Sequence, residues 1–132
     1  METVAHLDTH VVVWLYAGEV ERLPKEVQAH LQTHDLQISP AVVLELQYLF
    51  EIRRIAEPAQ SVTTALEGTL GLTVSTLSFQ RVVAAAVEQT WTRDPFDRLI
   101  VAQAQAEGAS LVTADKLIRK HFARSVWGKI RR

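Results

Sequence analysis

The order of short apolar runs and helix-forming segments leaves this chain few ways to fold. Apolar runs short enough to be strands occupy 4–7, 36–39, 72–74 and 109–113, and a fifth at 125–127 suits an edge strand. Strands that alternate with helices are joined by right-handed crossovers, which make a parallel sheet with helices on both faces. We therefore predict an α/β fold of three layers, α/β/α, around a central parallel sheet of four to five strands.

Helix-start and helix-stop residues punctuate the segments between these runs. Asp94 is a good N-cap, and Pro95 fits the first helical position because its missing N–H needs no partner there. Gly68 and Gly71 are expected to flank the turn into the third strand. The predicted helices cover 11–17, a segment opening at Pro24, 41–50, Glu57-Pro58 to Leu66, 79–90, 95–107 and 116–120.

Composition is that of an ordinary globular protein. The 132 residues suffice for a single domain over 1–132, with 48% apolar and 22% charged residues. The lack of cysteine excludes disulfides, thiolate metal sites and thiol nucleophiles, and it makes the cytoplasm the natural compartment. The N-terminus lacks the features of a signal peptide, and no apolar run approaches the roughly 18 residues of a membrane span.

Charge is distributed unevenly, although the net charge is only −1. All 15 acidic residues lie in 1–115 together with 7 Lys or Arg, whereas 116–132 holds 7 Lys or Arg and no acid. Such a basic segment can contact nucleic-acid phosphates, and a solvated final helix and tail explains the same clustering equally well. The candidate phosphate-contacting residues are Lys116, Arg119, Lys120, Arg124, Lys129, Arg131 and Arg132.

Four acidic residues fall at positions that the predicted fold brings together. Asp8 follows the first strand and Asp115 follows the fourth, so both lie at the carboxyl edge of the sheet, where α/β proteins bind ligands. Asp97 lies in the first turn of the 95–107 helix, and Glu45 lies on the 41–50 helix among apolar neighbours. All four carboxylates can therefore reach the same crevice.

A purely structural interpretation stays open for each acid. Aspartates at the start of a helix often only cap it or complement its dipole. That interpretation applies to Asp8, Asp94, Asp97 and Asp115. Glu45 can instead form a salt bridge with a nearby Arg such as Arg53 or Arg54.

Four converging carboxylates have a chemical consequence. They repel one another, so such a site persists if it holds one or two divalent cations, and without metal at least one pKa should be raised. Oxygen-only ligands select hard ions, which favours Mg²⁺ or Mn²⁺ over zinc. A site of this kind suits metal-assisted hydrolysis of a phosphodiester.

His30 and His34 share one helical face at the i, i+4 spacing of many metal-binding pairs. No third nitrogen or sulfur ligand lies nearby in the sequence. We therefore interpret both as surface residues and not as a zinc site.

Four short motifs follow one another along the chain. They are Leu7-Asp8-Thr9-His10, Glu45-Leu46, Asp94-Pro95-Phe96-Asp97-Arg98-Leu99-Ile100 with Ala102, and Thr113-Ala114-Asp115. In this order and spacing they resemble the motifs of PIN domains, and most closely those of the VapC-type toxins of bacterial toxin–antitoxin pairs. The resemblance covers nearly the whole chain, and the motifs are specific in combination although each alone is weak.

This resemblance implies a PIN-like fold and a catalytic, metal-binding site made of four acids, Asp8, Glu45, Asp97 and Asp115. It also matches Asp94 to an accessory acid of this subgroup, and Thr9 and Thr113 to small hydroxyl positions that orient the carboxylates. The implied activity is that of a ribonuclease that cuts RNA with a water activated by Mg²⁺ or Mn²⁺. The implied partners are a second copy of the chain and an antitoxin.

The chain departs from the family pattern in one segment. Relatives often carry His before the Arg-Asp-Pro-Phe-Asp motif, where this chain has Trp91-Thr92-Arg93. Helices between 40 and 67 match only in outline, so antitoxin contacts are not assigned there. Trp14, Trp91 and Trp127 are candidates for stacking on RNA bases, and positions in the core or a dimer interface account for them as well.

Two other functions remain to be weighed. A PIN-like RNA-binding or scaffold module would keep the fold without catalysis, although such a protein has no evident use for four intact acids. A phosphoacceptor receiver domain needs adjacent acids after the first strand and a Lys after the last. Here Asp8 is followed by Thr9 and no suitable Lys is present, which argues against a receiver domain.

Overall fold

The computed structural model describes residues 3–128 and contains one five-stranded sheet. Its strands are β1 (Val4–Leu7), β2 (Asp35–Ile38), β3 (Thr73–Val74), β4 (Ser110–Val112) and β5 (Ser125–Val126). They lie in the order β3-β2-β1-β4-β5, and every neighbouring pair is parallel. The predicted parallel sheet and its fifth edge strand are confirmed.

Both faces of this sheet are covered, as the central strand β1 shows. Successive strand residues point to opposite faces, yet Ala5, His6 and Leu7 are all at most 1% exposed. A parallel sheet buried on both faces needs a layer of helices on each side. The predicted three-layer architecture is therefore confirmed.

Seven α-helices connect the strands within the described residues. They are α1 (Thr9–Tyr16), α2 (Lys25–Gln32), α3 (Pro40–Glu51), α4 (Ala59–Leu70), α5 (Phe79–Val87), α6 (Pro95–Ala106) and α7 (Lys116–His121). A short 3₁₀ turn, Val20–Arg22, separates α1 from α2. Helix α3 packs against α4 and α6, α1 packs against α4, and α5 packs against α6.

The boundary of α4 differs from the prediction. The helix continues through Gly68 to Leu70, so Gly68 does not flank the turn into β3. Its buried stripe includes Val62 and Leu66 and keeps the last turns helical, although a glycine within a helix costs about 1 kcal/mol relative to alanine. Gly71 alone ends the helix, with a left-handed φ of 69° that suits glycine.

Helix α5 is also shorter than predicted, because it ends at Val87 and not at Thr90. Gln89 turns inward, is 6% exposed, and donates a hydrogen bond to Gln105 Oε1 on α6 at 2.8 Å. The Gln89 side chain thus contacts α6, and α5 does not continue for a further turn. The tertiary contact thus overrides the local helical pattern.

Three of the acids are helix caps, as their sequence context predicts. Asp8, Asp94 and Asp115 precede α1, α6 and α7, and each carboxylate accepts a hydrogen bond from a backbone N–H of its own helix. Asp8 and Asp115 follow β1 and β4, which are neighbours in the sheet. These two acids therefore lie at the same carboxyl edge of the sheet.

Two further predictions from the sequence concern membrane-spanning helices and the basic residues at the C-terminus. Within residues 3–128, no helix combines the length and apolarity that crossing a bilayer requires. The candidate phosphate-contacting residues Lys129, Arg131 and Arg132 lie outside the described residues.

Candidate metal centre

Asp8 lies at the carboxyl end of the central strand and is only 7% exposed. Its Oδ1 accepts a hydrogen bond from the backbone N–H of Thr9 at 2.8 Å. Its Oδ2 accepts one from the hydroxyl of Thr113 at 2.6 Å. Both carboxylate oxygens are thereby held in a fixed direction.

Glu45 reaches the same edge from α3, where it is half-buried. Its Oε1 accepts a hydrogen bond of 2.5 Å from the hydroxyl of Thr9, which is 1% exposed. Among the described residues, Glu45 forms no salt bridge with Arg53 or Arg54, so that structural alternative is wrong. Thr9 therefore connects Glu45 to Asp8, because its backbone serves one acid and its hydroxyl the other.

Asp115 is exposed and lies at the same carboxyl edge as Asp8, three residues after the end of β4. Its Oδ1 accepts a hydrogen bond from the N–H of Ile118 at 2.9 Å, and its own N–H donates to the Thr113 hydroxyl at 3.0 Å. Thr113, which is fully buried, thus joins Asp115 to Asp8 through one hydroxyl. Thr9 and Thr113, the two small hydroxyl residues singled out in the sequence, thus each donate a hydrogen bond to one of the acids.

Asp97 differs from the other acids because no described residue donates a hydrogen bond to its carboxylate. It lies half-buried in the first turn of α6. The neighbouring Asp94 caps this helix, with Oδ1 accepting from the N–H of Phe96 at 2.8 Å and from the N–H of Asp97 at 3.3 Å. The Asp97 side chain itself stays without a donor.

The electrostatic surroundings of Asp97 are correspondingly unfavourable for a negative charge. Its pKa is raised from 3.8 to about 7, first because burial removes water and then because four other carboxylates are nearby. In order of influence these are Asp94, Asp8, Asp115 and Glu45. The side chains that the sequence predicted to converge therefore do interact electrostatically.

Burial also raises the pKa values of Asp8 and Glu45 above their ordinary range. The hydrogen bonds from Thr113 and Thr9 oppose this shift without cancelling it. The exposed His10 next to Thr9 also favours the charged form of both acids. Raised pKa values at three acids match the expectation for a carboxylate cluster without metal.

The donor set fits a hard divalent cation. As their side chains are oriented, no group of three or more His, Cys, Asp or Glu residues within 3–128 is arranged to hold a metal ion. Mg²⁺ does not require such a group, because it keeps several waters and binds proteins through one or two carboxylates. An all-oxygen set with an unsatisfied carboxylate is therefore suited to Mg²⁺ or Mn²⁺.

The basic candidates divide into two groups in space. Lys116, Arg119 and Lys120 are exposed on α7, the helix that begins at Asp115. Arg124 instead lines a cavity with Thr3, Val4, His30, His34 and Ser110, at the amino ends of β1 and β4. Arg124 thus lies towards the edge opposite the acids and is not brought together with them.

The histidine pair belongs to this opposite edge. His30 Nε2 lies 2.9 Å from the hydroxyl of Ser110, and its ring stacks on His34 with centroids 3.8 Å apart. Both rings are half-buried, and the pKa of His30 is lowered by burial and by His34. The two histidines were interpreted as surface residues, but both are half-buried at this edge of the sheet, His30 against Ser110.

The three tryptophans are partly buried against the core. Trp14 and Trp127 contact each other with ring centroids 5.8 Å apart, and Trp91 stacks on His121 at 5.2 Å. The Trp91 N–H donates to Gln89 Oε1 at 2.8 Å. These contacts support the interpretation of the tryptophans as packing residues.

A second polar cluster was missed by the sequence reasoning. His6, Ser75, Gln103 and Glu107 form hydrogen bonds to one another beneath α6. The local signals were a histidine inside the apolar run 4–7 and Gln103 among apolar residues of the 95–107 helix. Gln103 and Glu107 are four residues apart, but His6 and Ser75 are distant in sequence, so their contact with Glu107 depends on the packing of α6.

Comparison with known proteins supports the resemblance seen in the sequence. The family model described as PIN domain matches residues 5–121, a range that contains all four acids. Ribonuclease VapC22 from Mycobacterium tuberculosis (strain ATCC 25618 / H37Rv) is 34% identical over 125 residues, which cover 90% of this chain and 92% of the relative.

Solved structures with the same fold come from toxin–antitoxin assemblies. A toxin–antitoxin complex from Klebsiella pneumoniae includes a chain with a TM-score of 0.65 and 20% identity, covering 92% of this chain and 95% of the other. VapBC2 from Rickettsia felis, bound to a DNA fragment from its promoter, gives 0.65 at 21% identity, covering 96% and 98%. At this identity the two structures show the fold alone. The family model over residues 5–121 and the 34% identical relative establish that this chain belongs to the PIN domain family.

Proposed function

We propose that this protein is an endoribonuclease dependent on Mg²⁺ or Mn²⁺ and the toxin of a type II toxin–antitoxin pair. The observation that carries the proposal is the position of Asp97, half-buried near the other acids of the PIN motifs and without a hydrogen-bond donor among the described residues, which raises its pKa to about 7. A carboxylate in this position lacks a counter-charge that a divalent cation would supply. The 34% identity to a VapC ribonuclease supports RNA as the substrate class.

The roles of the acids follow from their contacts. Asp8, Glu45, Asp97 and Asp115 would hold the cation and so form the catalytic, metal-binding set. When bound, a cation of this class supplies an activated water and stabilises the leaving oxygen of the phosphodiester. Thr113 and Thr9 keep the carboxylates of Asp8 and Glu45 in position through the hydrogen bonds described above.

Two acids have distinct roles in this scheme. Asp97 would hold the cation in its deprotonated form and would release a proton on binding near neutral pH, because burial and four nearby carboxylates raise its pKa to about 7. Asp94 caps α6 and adds negative charge next to Asp97, as an accessory acid would. Both functions depend on the first turn of the same helix.

RNA would approach the acids across α7. Lys116, Arg119 and Lys120 are exposed there, and no ion pair engages them within the described residues. Lys and Arg side chains near the acids can bind the RNA phosphates that flank the scissile bond. We exclude Arg124 from this surface because it lies towards the opposite edge.

The wider context follows from the same family membership. We propose that the chain forms a single PIN-like domain over 1–132, acts in the cytoplasm as a homodimer, and is restrained by a cognate antitoxin. The structural relatives from toxin–antitoxin complexes support an antitoxin partner. The alternative is a PIN-like RNA-binding or scaffold module without catalysis. That function would not explain why four mutually repelling carboxylates lie close together.

The decisive experiment is cleavage of a labelled pool of structured RNAs by purified protein, with EDTA or Mn²⁺. We expect cutting only with Mn²⁺, and a loss of at least about a hundredfold in Asp97→Asn. Asp35→Asn is the matched control, since Asp35 is exposed on β2 and should leave the rate unchanged. RNA binding without cleavage in wild type would instead favour the binding module.

A further inference from the structure

The polar cluster beneath α6 centres on Glu107, the residue immediately after this helix. Its Oε1 accepts a hydrogen bond from His6 Nε2 at 3.0 Å. Its Oε2 accepts from Gln103 Nε2 at 2.7 Å and from the hydroxyl of Ser75. Gln103 Nε2 also donates to Ser75 Oγ at 3.0 Å, so the four side chains form a closed network.

Burying a polar network of this kind costs free energy that apolar side chains would not cost. His6 and Gln103 are 1% exposed, and His6 Nδ1 has no hydrogen-bond partner among the described residues. Glu107 lies at the carboxyl end of a helix, where the dipole disfavours a negative charge. Well-packed apolar residues often stabilise a core as well as buried ion pairs do, whereas directional polar contacts can fix the register of packed elements.

The other buried residues of α6 are the apolar Ile100, Val101, Ala102 and Ala104, whose packing is not directional. The hydrogen bonds of the network add direction, because they require a narrow range of distances and angles. The network connects α6 to β1 through His6 and to the end of β3 through Ser75.

The position of α6 matters because it carries Asp97. Asp8, Glu45 and Asp115 are each held by hydrogen bonds at the sheet edge, whereas no described residue donates to the Asp97 carboxylate. Its place therefore depends on the helix backbone. A helix rises about 1.5 Å per residue, so Asp97 lies about 9 Å from Gln103 along the axis, and a shift at one point moves the other.

The same strand links the network to the opposing acid. His6 and Asp8 are both fixed by β1, two positions apart in the chain. A hydrogen bond from His6 to the end of α6 therefore sets that helix relative to the strand that presents Asp8. We propose that Glu107, His6, Gln103 and Ser75 anchor α6 so that Asp97 faces Asp8, which makes Glu107 and His6 positioning residues for cation binding.

This proposal rests on the proposed function, and its test separates positioning from stability. Mn²⁺ binding to the whole chain is titrated by calorimetry, and thermal unfolding in EDTA is recorded for the same samples. Glu107→Gln keeps the shape of the side chain but removes its charge, and we expect Mn²⁺ affinity to fall about tenfold in folded protein. Glu19→Gln is the matched control, because Glu19 pairs with Arg22 on the surface.

Variants of His6 provide an independent arm. His6→Gln keeps a donor at the position of Nε2, so we expect affinity within about twofold of wild type. His6→Leu removes the donor but suits a core, so we expect a loss of about tenfold even where its melting temperature equals that of wild type. A purely structural role would make affinity follow the melting temperature in every variant.

The outcomes distinguish failure of this inference from failure of the proposed function. Wild-type protein that binds no Mn²⁺ would overturn both. Wild-type binding, together with unchanged affinity in folded Glu107→Gln and folded His6→Leu, would overturn the positioning role and leave the metal site standing. Reduced affinity in both variants, with wild-type affinity in Glu19→Gln and His6→Gln, would establish the anchor.

Discussion

The two ends of α6 place carboxylates in opposite electrostatic environments. At the carboxyl end, burial would raise the pKa of Glu107, but hydrogen bonds from Ser75, His6 and Gln103 outweigh it and lower the pKa below its ordinary value. At the amino end, Asp97 receives no hydrogen bond from the described residues, and its pKa rises to about 7. One helix thus carries one satisfied acid and one unsatisfied acid.

The contrast shows that this fold can supply hydrogen-bond donors to a partly buried acid. The lack of donors at Asp97 is therefore specific to that site. The chain surrounds Glu107 with donors from three different elements, although that residue lies at the unfavourable end of a helix dipole. Asp97 lies at the favourable end and still has a raised pKa, first because it is buried and then because four other carboxylates are nearby. A bound cation, as proposed above, would offset both effects.

Among the variants compared below, the largest change in Mn²⁺ affinity should come from removing a hydrogen bond that holds the Asp8 carboxylate. Thr113→Val removes the hydroxyl that donates to Asp8 and accepts from the N–H of Asp115. We expect Mn²⁺ affinity to fall by about 10–100-fold, as with other partners that orient metal ligands. Calorimetry measures this loss, with the exposed Thr69→Val as control.

Unchanged affinity in Thr113→Val would mean that the buried hydroxyl does not orient the acids. The hydrogen bonds around Thr113 would then serve only the packing of β4 against β1.

A second prediction compares how the acids at the two ends of α6 affect the stability of the protein. In EDTA at pH 8, Glu107→Gln should lower the free energy of unfolding by about 1–3 kcal/mol, because three donors lose a charged acceptor. Asp97→Asn should instead raise the melting temperature, since it removes a charge in a repulsive site. Chemical and thermal unfolding of the two variants measure these opposite signs.

The pH dependence of stability should differ in the same way. The raised pKa of Asp97 contributes stability below its unfolded pKa, near 3.8, and that contribution is lost as pH rises through about 7. The lowered pKa of Glu107 contributes above its unfolded value and is lost as pH falls through the folded value. If Asp97→Asn destabilises metal-free protein at pH 8, the repulsive environment of Asp97 is disproved.

The smallest effect concerns the exposed cations of α7. Lys120→Gln should weaken RNA binding modestly and reduce the salt dependence of log K by about 0.7, because one phosphate contact is lost. Fluorescence anisotropy with a single-stranded RNA at several salt concentrations measures the slope. Lys25→Gln on α2 serves as the control, and an equal change in both variants would place RNA elsewhere.

Local sequence signals predicted much of the edge that carries the acids. Strand ends and helix caps depend on neighbouring residues, which is why Asp8, Asp94 and Asp115 were placed correctly at helix starts. The parallel sheet followed from the alternation of elements, and the end of α6 differs from its prediction by one residue. The motifs then indicated which acids to group.

The remaining features depend on contacts between distant segments. The hydrogen bond from Thr9 to Glu45 spans 36 residues, and the one from Thr113 to Asp8 spans 105. The sequence predicted that Glu45 needs a cation, a hydrogen-bond network, a proton or a salt bridge with an Arg. Only the packing of α3 against α1 decides that it accepts a hydrogen bond from Thr9. The network around Glu107 likewise exists only once α6 lies against β1, which no local pattern specifies.

The most direct test of the metal centre is the titration of the Asp97 carboxyl carbon by NMR, in EDTA and in saturating Mg²⁺. We predict a pKa of about 7 in EDTA and a value well below it in Mg²⁺, because the cation replaces the proton. An ordinary pKa near 3.8 in EDTA, unchanged by Mg²⁺, would contradict a cation site at these four acids.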